Sequence, residues 1–165
     1  MIAIIQYNAG NILSVYNAID RLGYDCIITN DHKKIKDADK VIFPGVGEAF
    51  SSMKYLRSNK LDKLIQNLEQ PVLGICLGMQ LMCNSSEEGP TQCLKIFPND
   101  VVRFKNNDLV PHMGWNNFES ADTKLLKGVK ISDDLYYVHS YYVEVGKSTT
   151  AICNYQNNFS SIIED

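Results

Sequence analysis

Cys76 stands with a glycine two residues to either side, in the run Pro71-Val72-Leu73-Gly74-Ile75-Cys76-Leu77-Gly78-Met79-Gln80. An apolar run leads into it and a helical pattern follows. This is the cysteine form of a nucleophile elbow, which lifts the reactive atom onto the tip of a sharp strand-to-helix bend. The chain passes close to its neighbours there, so flanking positions without a side chain avoid a clash. A helix beginning behind the sulfur is expected to favour thiolate, the reactive form. A lone cysteine is more often a small buried hydrophobe. The two glycines and the change of periodicity argue for a nucleophile instead.

A second motif, Pro44-Gly45-Val46-Gly47, follows the apolar run Val41-Ile42-Phe43. It falls at the strand end where open α/β sheets bind ligands. Glycines there leave backbone N–H groups free to converge on a developing anion, which acyl transfer requires. By itself a Pro-Gly pair reads as an ordinary turn. The elbow gives it chemical meaning.

The elements that must position these motifs alternate. Strands are expected at residues 2–5, 26–29, 41–43 and 72–75. Helices are expected from Asn11, as cap, to Gly23, as stop, then at 48–57, 61–68 and after Cys76. That rhythm predicts a parallel sheet covered by helices. Beyond about residue 85 it changes. A loop through Pro90 is followed by extended segments at 101–104, 135–145, 150–155 and 160–163, with no helical pattern between them. The fold class is therefore α/β: an open, mostly parallel sheet, helices on both faces, antiparallel additions in the second half. No linker, repeat or low-complexity tract interrupts the 165 residues, and one domain is expected.

Hydrophobic residues make up 45% and charged residues 21%, with a net charge of −3, so no basic face suggests nucleic acid. Lys33, Lys34 and Lys36 read as a solvated helix surface. Met1–Ile5 is apolar but short, a first strand and not a signal peptide. The five cysteines, at 26, 76, 83, 93 and 153, have no metal spacing and suit a reducing cytoplasm. No cofactor or metal is expected.

Several further segments extend the pattern: Tyr7-Asn8-Ala9-Gly10-Asn11, Ser86-Glu87-Glu88-Gly89, Pro111-His112-Met113-Gly114-Trp115-Asn116 and Tyr137-Val138-His139-Ser140-Tyr141. With the elbow and the Pro44–Gly47 turn they resemble the triad (class I) glutamine amidotransferases over essentially the whole chain. The closest branch serves as glutaminase subunit to a (β/α)8-barrel cyclase of histidine biosynthesis. The resemblance implies roles at matching positions. Cys76 would attack the carboxamide of L-glutamine. The backbone of Val46 and Gly47 and the amide of Leu77 would hold the oxyanion. Gln80 and Glu88 would hold the glutamine head group, with Ser140 and Tyr141 contributing backbone. Pro111, His112, Met113, Trp115, Tyr137 and His139 would face the cyclase.

The family completes its triad with the histidine and glutamate of a His-Pro-Glu motif. Residues 1–165 contain none and stop at Ile162-Ile163-Glu164-Asp165, so the domain is expected to lack its C-terminal end. Two other readings therefore stand beside the glutaminase. One is a catalytically inactive, partner-binding subunit or fragment. The other is a paralogous glutaminase that serves a different ammonia acceptor.

Overall fold

The computed structural model describes residues 1–105 and 109–165. They form two compact units, Met1–Ile96 and Phe97–Asp165.

In the first unit the strands are β1 (Ile2–Ile5), β2 (Cys26–Thr29), β3 (Lys40–Phe43) and β4 (Val72–Gly74). They form a parallel sheet in the order β2-β1-β3-β4. The helices α1 (Ile12–Arg21), α2 (His32–Lys36), α3 (Ala49–Ser58), α4 (Leu61–Gln66) and α5 (Leu77–Met82) alternate with them, and a small hairpin, β5 (Ser85–Ser86) and β6 (Thr91–Gln92), follows. The central strands show why the parallel reading holds. Ala3, Ile4 and Ile5 are fully buried, and Val41, Ile42 and Phe43 nearly so. Consecutive residues point to opposite faces, so both faces are covered. β4 is an outer strand and turns Leu73 and Ile75 to solvent.

Asn11 does precede α1, but it does not cap it through its side chain. Its backbone is left-handed, at φ 65°, and makes the bend itself. Side-chain caps form where an acid has extended backbone. Asp31 accepts from the amides of Lys33 and Lys34, and Glu48 from those of Phe50 and Ser51. Gly23 ends α1 as expected, at φ 77°.

In the second unit, β7 (Asp100–Arg103), β9 (Phe118–Ala121), β11 (Tyr141–Val143), β12 (Thr149–Asn154) and β13 (Asn158–Ile163) pair antiparallel in the order β7-β11-β13-β12-β9. Strands β8 (His112–Asn116) and β10 (Leu135–His139) form a separate antiparallel pair. The core is aromatic. Phe104, Tyr142, Cys153 and Phe159 are buried together, with the Phe104 and Tyr142 rings 4.5 Å apart. Strand β8 was not expected as a strand: Pro111 directly precedes it and Gly114 interrupts its pattern. Gly114 lies at φ 152°, where a side chain would be strained. Among the described residues no helix is long and apolar enough to cross a membrane.

Candidate active site

Cys76 sits between β4 and α5 with φ 53° and ψ −113°. That backbone conformation is unfavourable for any residue with a side chain and persists only where the surroundings enforce it. The flanking glycines show the enforcement. A Cβ on Gly78 would lie 1.8 Å from the carbonyl oxygen of Phe43, and one on Gly74 would lie 2.8 Å from the Met79 nitrogen. The strand and helix approach too closely for alanine at either place. Cys76 is exposed, whereas Cys83, Cys93 and Cys153 are buried.

The Pro44–Gly47 turn lies against the elbow. A Cβ on Gly45 would fall 2.2 Å from the Tyr7 hydroxyl and 3.1 Å from Leu77 Cβ. Three bonds hold the turn's carbonyls. Tyr7 donates its hydroxyl to Pro44 O at 2.7 Å, the amide of Leu77 donates to Gly45 O at 3.3 Å, and that of Gly10 to Val46 O at 3.2 Å. Val46 and Gly47 are exposed, with Gly47 at φ 136°. The Leu77 amide, expected to serve the oxyanion, is thus engaged by Gly45 O, and a bound oxyanion would have to compete for it.

Glu88 also reaches this region. Its Oε2 accepts the amide of Ala49, at the start of α3, at 2.8 Å. Burial raises its pKa, the Ala49 bond opposes the rise, and Glu48 nearby adds to it. Gln80 is buried on α5, one turn beyond the nucleophile. The Cys76 thiol is itself held above its ordinary pKa. Crowding by protein comes first, the Leu77 N–H opposes it, and the Glu88 charge adds to it. The pull of the Leu77 N–H toward thiolate is therefore outweighed by burial. Helix α5 has only six residues, and its first amide is shared with Gly45 O.

Ser140 and Tyr141 belong to the second unit, at the corner between β10 and β11. Ser140 O accepts from the Phe104 amide at 3.1 Å. The residues expected to face a partner divide by strand alternation. Met113 (59% exposed) and Trp115 (70%) point outward on β8, and Pro111 is exposed. His112 (3%) points inward, and Tyr137 and His139 are half-buried. Val138, within the Tyr137–His139 segment expected at the partner, and Tyr136, which the sequence reading missed, complete the outer face. Tyr136 and Val138 pair across the strands with Trp115 and Met113, and the Tyr136 and Trp115 rings meet edge-on at 5.3 Å. Period-two alternation from the Tyr-Val run would have found them. Among the described residues no group of three or more His, Cys, Asp or Glu is arranged to hold a metal ion.

Residues 3–164 match the family model "Glutamine amidotransferase class-I". The chain is 52% identical over 165 residues to "Imidazole glycerol phosphate synthase subunit HisH" of Bacteroides thetaiotaomicron, covering 98% of this chain and 84% of that one. The protein of the same name from Haemophilus influenzae is 46% identical, with 98% and 82% covered. Among solved structures, one named "Crystal structure of glutamine amidotransferase" superposes with a TM-score of 0.67 at 15% identity, over 93% of this chain and 84% of that one. Another, a Thermoplasma acidophilum protein described as a GMP synthase component, gives 0.62 at 19%, over 87% and 66%. At those identities the two structures speak for the fold alone.

Proposed function

This chain belongs to the class I glutamine amidotransferases, and from that premise we propose that it is the glutaminase subunit of an imidazole glycerol phosphate synthase. The observation that carries the chemistry is the strained, exposed Cys76 on its glycine-flanked bend beside the Pro44–Gly47 turn. Cys76 Sγ attacks the carboxamide carbon of L-glutamine. The S–C bond forms, the C–N bond breaks, and nitrogen leaves as ammonia with the thiol proton. Water then cleaves the glutamyl thioester to glutamate. Val46, Gly47 and Leu77 supply backbone donors to the oxyanion. Glu88 and Gln80 hold the amino acid. An ammonium group needs a carboxylate, and Glu88 has one oxygen on Ala49 N–H and a second to offer.

The outer face of β8 and β10 is the docking surface for the cyclase, a (β/α)8 barrel that takes up the ammonia. Trp115, Tyr136, Met113 and Val138 give it the aromatic and methionine-rich composition of an interface core. Pro111 lies at its rim, while His112, Tyr137 and His139 support it from beneath. This chemistry belongs to biosynthesis in the cytoplasm.

The second reading is a partner-binding subunit without catalysis: the thiol proton needs a carrier, and each histidine of residues 1–165 has a hydrogen-bond partner of its own. His32 Nε2 is bonded to Asn59 O at 3.0 Å, and His112 and His139 are bonded to each other. A pair of assays on the complex tests both readings, one fed glutamine and one fed ammonium salt. Cys76→Ala is expected to abolish glutamine-dependent synthesis and leave the ammonia-fed reaction and docking intact. Wild-type chain that docks but never uses glutamine would establish the binding role. Failure to dock at all would point to another acceptor.

A further inference from the structure

Tyr7 lies just beyond β1 and is buried, its ring 5.2 Å from that of Phe43. Its hydroxyl donates to Pro44 O at 2.7 Å. The same hydroxyl sits over Gly45, in the space a side chain there would fill. The phenol thus grips the first carbonyl of the Pro44–Gly47 turn and closes one face of the residue after it. Burial, and after it the charge of Cys76 when ionised, push the Tyr7 pKa up. The hydroxyl therefore keeps its hydrogen and goes on donating even when the nucleophile is a thiolate.

Three consecutive carbonyls of the turn are held, and their holders differ in kind. Tyr7 and Gly10, both from the segment after β1, take the outer two, Pro44 O and Val46 O. The middle one, Gly45 O, is held by the amide of Leu77, the first residue of α5. On the functional reading above, that amide serves the oxyanion during reaction. The turn then loses its middle anchor at the moment its own donors must stand still. A planar trans peptide points its N–H opposite to its C=O, so the group that holds a carbonyl also aims the N–H of the next residue. With Gly45 O released, Pro44 O and Val46 O are the fixed points left of these three. The Tyr7 bond is the shorter, at 2.7 Å against 3.2 Å for Gly10, and it is buried, where water competes least.

We propose that Tyr7 is a positioning residue for the oxyanion turn, holding Pro44–Gly47 in place through the Pro44 carbonyl while the Leu77 amide serves the substrate. This rests on the glutaminase reading and deepens it. Tyr7 does not touch the reacting atoms. Its effect passes through the turn, so it is confined to reactions of Cys76 that build an oxyanion.

The test compares two reagents on Cys76 of the full chain. p-Nitrophenyl acetate acylates it: the S–C bond forms through a tetrahedral oxyanion, the ester C–O bond breaks, and p-nitrophenolate leaves. Iodoacetamide alkylates it by direct displacement of iodide, with no oxyanion. Both consume thiolate, so the ratio of the two rates is independent of the thiol pKa. Peptide mapping assigns each label to Cys76, and glutathione gives the ratio of a thiol without a turn. The wild type is expected to exceed the glutathione ratio, and Tyr7→Phe to lose roughly tenfold or more of it while alkylation continues. A wild-type ratio no higher than that of glutathione refutes the oxyanion reading, and the role of Tyr7 with it. A raised ratio kept in Tyr7→Phe, or both rates falling together, overturns the positioning role and leaves the glutaminase reading standing. If Tyr7→Phe does not fold, the wild type decides, labelled with 13C at the proline and glycine carbonyls and treated with the aldehyde analogue of glutamine. The Pro44 carbonyl shift is expected to stay fixed in the adduct while that of Gly45 moves. A Pro44 shift that moves with Gly45 overturns the proposal, and no adduct at all refutes the glutaminase reading beneath it.

Discussion

Gly78→Ala tests whether the elbow depends on close backbone approach or only on the cysteine. The added Cβ would lie 1.8 Å from Phe43 O, a backbone atom at the end of a buried strand. Non-bonded carbon and oxygen need about 3 Å or more, so the start of α5 must retreat by more than about 1 Å. Overpacking of this kind costs roughly 3 kcal/mol, at the upper end of the usual range, because neither partner is a flexible side chain. For a chain of this size that lowers Tm by roughly 6–12 °C. A displacement of about 1 Å at the nucleophile is expected to slow reaction with a glutamine-like electrophile on the order of 10²-fold. Gly23→Ala is the control. Gly23 has φ 77° and nothing within 4 Å of its added Cβ. Backbone strain alone should cost it roughly 1–2 kcal/mol and leave labelling of Cys76 unchanged. The assays are thermal melts and peptide mapping of the labelled chain. If Gly78→Ala melts and labels like wild type, the tight strand–helix contact is not what builds the site.

Glu88→Gln keeps an oxygen for the Ala49 amide but removes the charge, and glutamine affinity measured by calorimetry should fall roughly 10–100-fold, the worth of a charge-assisted bond. Trp115→Ala should weaken cyclase binding by roughly 1–4 kcal/mol in a titration, and a normal affinity would remove Trp115 from the interface. Burial first, and His139 second, lower the pKa of His112 to about 4. Its unfolded value is about 6.5, so the unfolded chain binds the extra proton first as pH falls. Stability from this residue is therefore full above about pH 6.5 and lost as pH falls toward about 4, and melts across that window should be steeper for wild type than for His112→Gln. Leu73 and Ile75 are exposed on and beside the outer strand β4, so the isolated chain should self-associate, and Leu73→Lys should reduce light scattering at equal concentration.

The parallel half was legible because its signals are local. Val41-Ile42-Phe43 is buried on both faces and reads as an unbroken apolar run, and Gly74 and Gly78 mark the bend by what they lack. The bend at Cys76 and the Pro44–Gly47 turn of the candidate site were legible for the same reason, since both are short motifs at strand ends. The second unit was less so. β8 follows Pro111 and carries Gly114, which spoil a strand pattern, and it pairs with β10 across a long separation in sequence, over which composition says nothing about register. With the register hidden, the partner-facing set could not be divided into Met113 and Trp115 outside and His112 and His139 beneath. The thiolate expectation failed on a tertiary fact. No sequence pattern reveals that burial around Cys76 outweighs the Leu77 N–H, or that Glu88 comes near enough to oppose a second negative charge.

Taken together, the charges around Cys76 make this a site with geometry prepared and ionisation withheld. Backbone strain at the elbow aims the sulfur, yet burial, and Glu88 after it, push the thiol pKa up. Bound glutamine changes that balance in a definite direction. Its ammonium group on Glu88 would neutralise the charge that now disfavours the thiolate, and its oxyanion would draw the Leu77 amide from Gly45 O. On the proposed role of Glu88, substrate binding and nucleophile activation would be coupled through it, which suits an enzyme that should not keep a reactive thiolate without its substrate. The coupling has a measurable sign. Glu88→Gln should lower the Cys76 thiol pKa in the empty chain while weakening glutamine binding. Thiolate absorbance followed across pH reads the first effect. A Cys76 pKa that rises or stays fixed in Glu88→Gln would show that Glu88 does not govern the nucleophile.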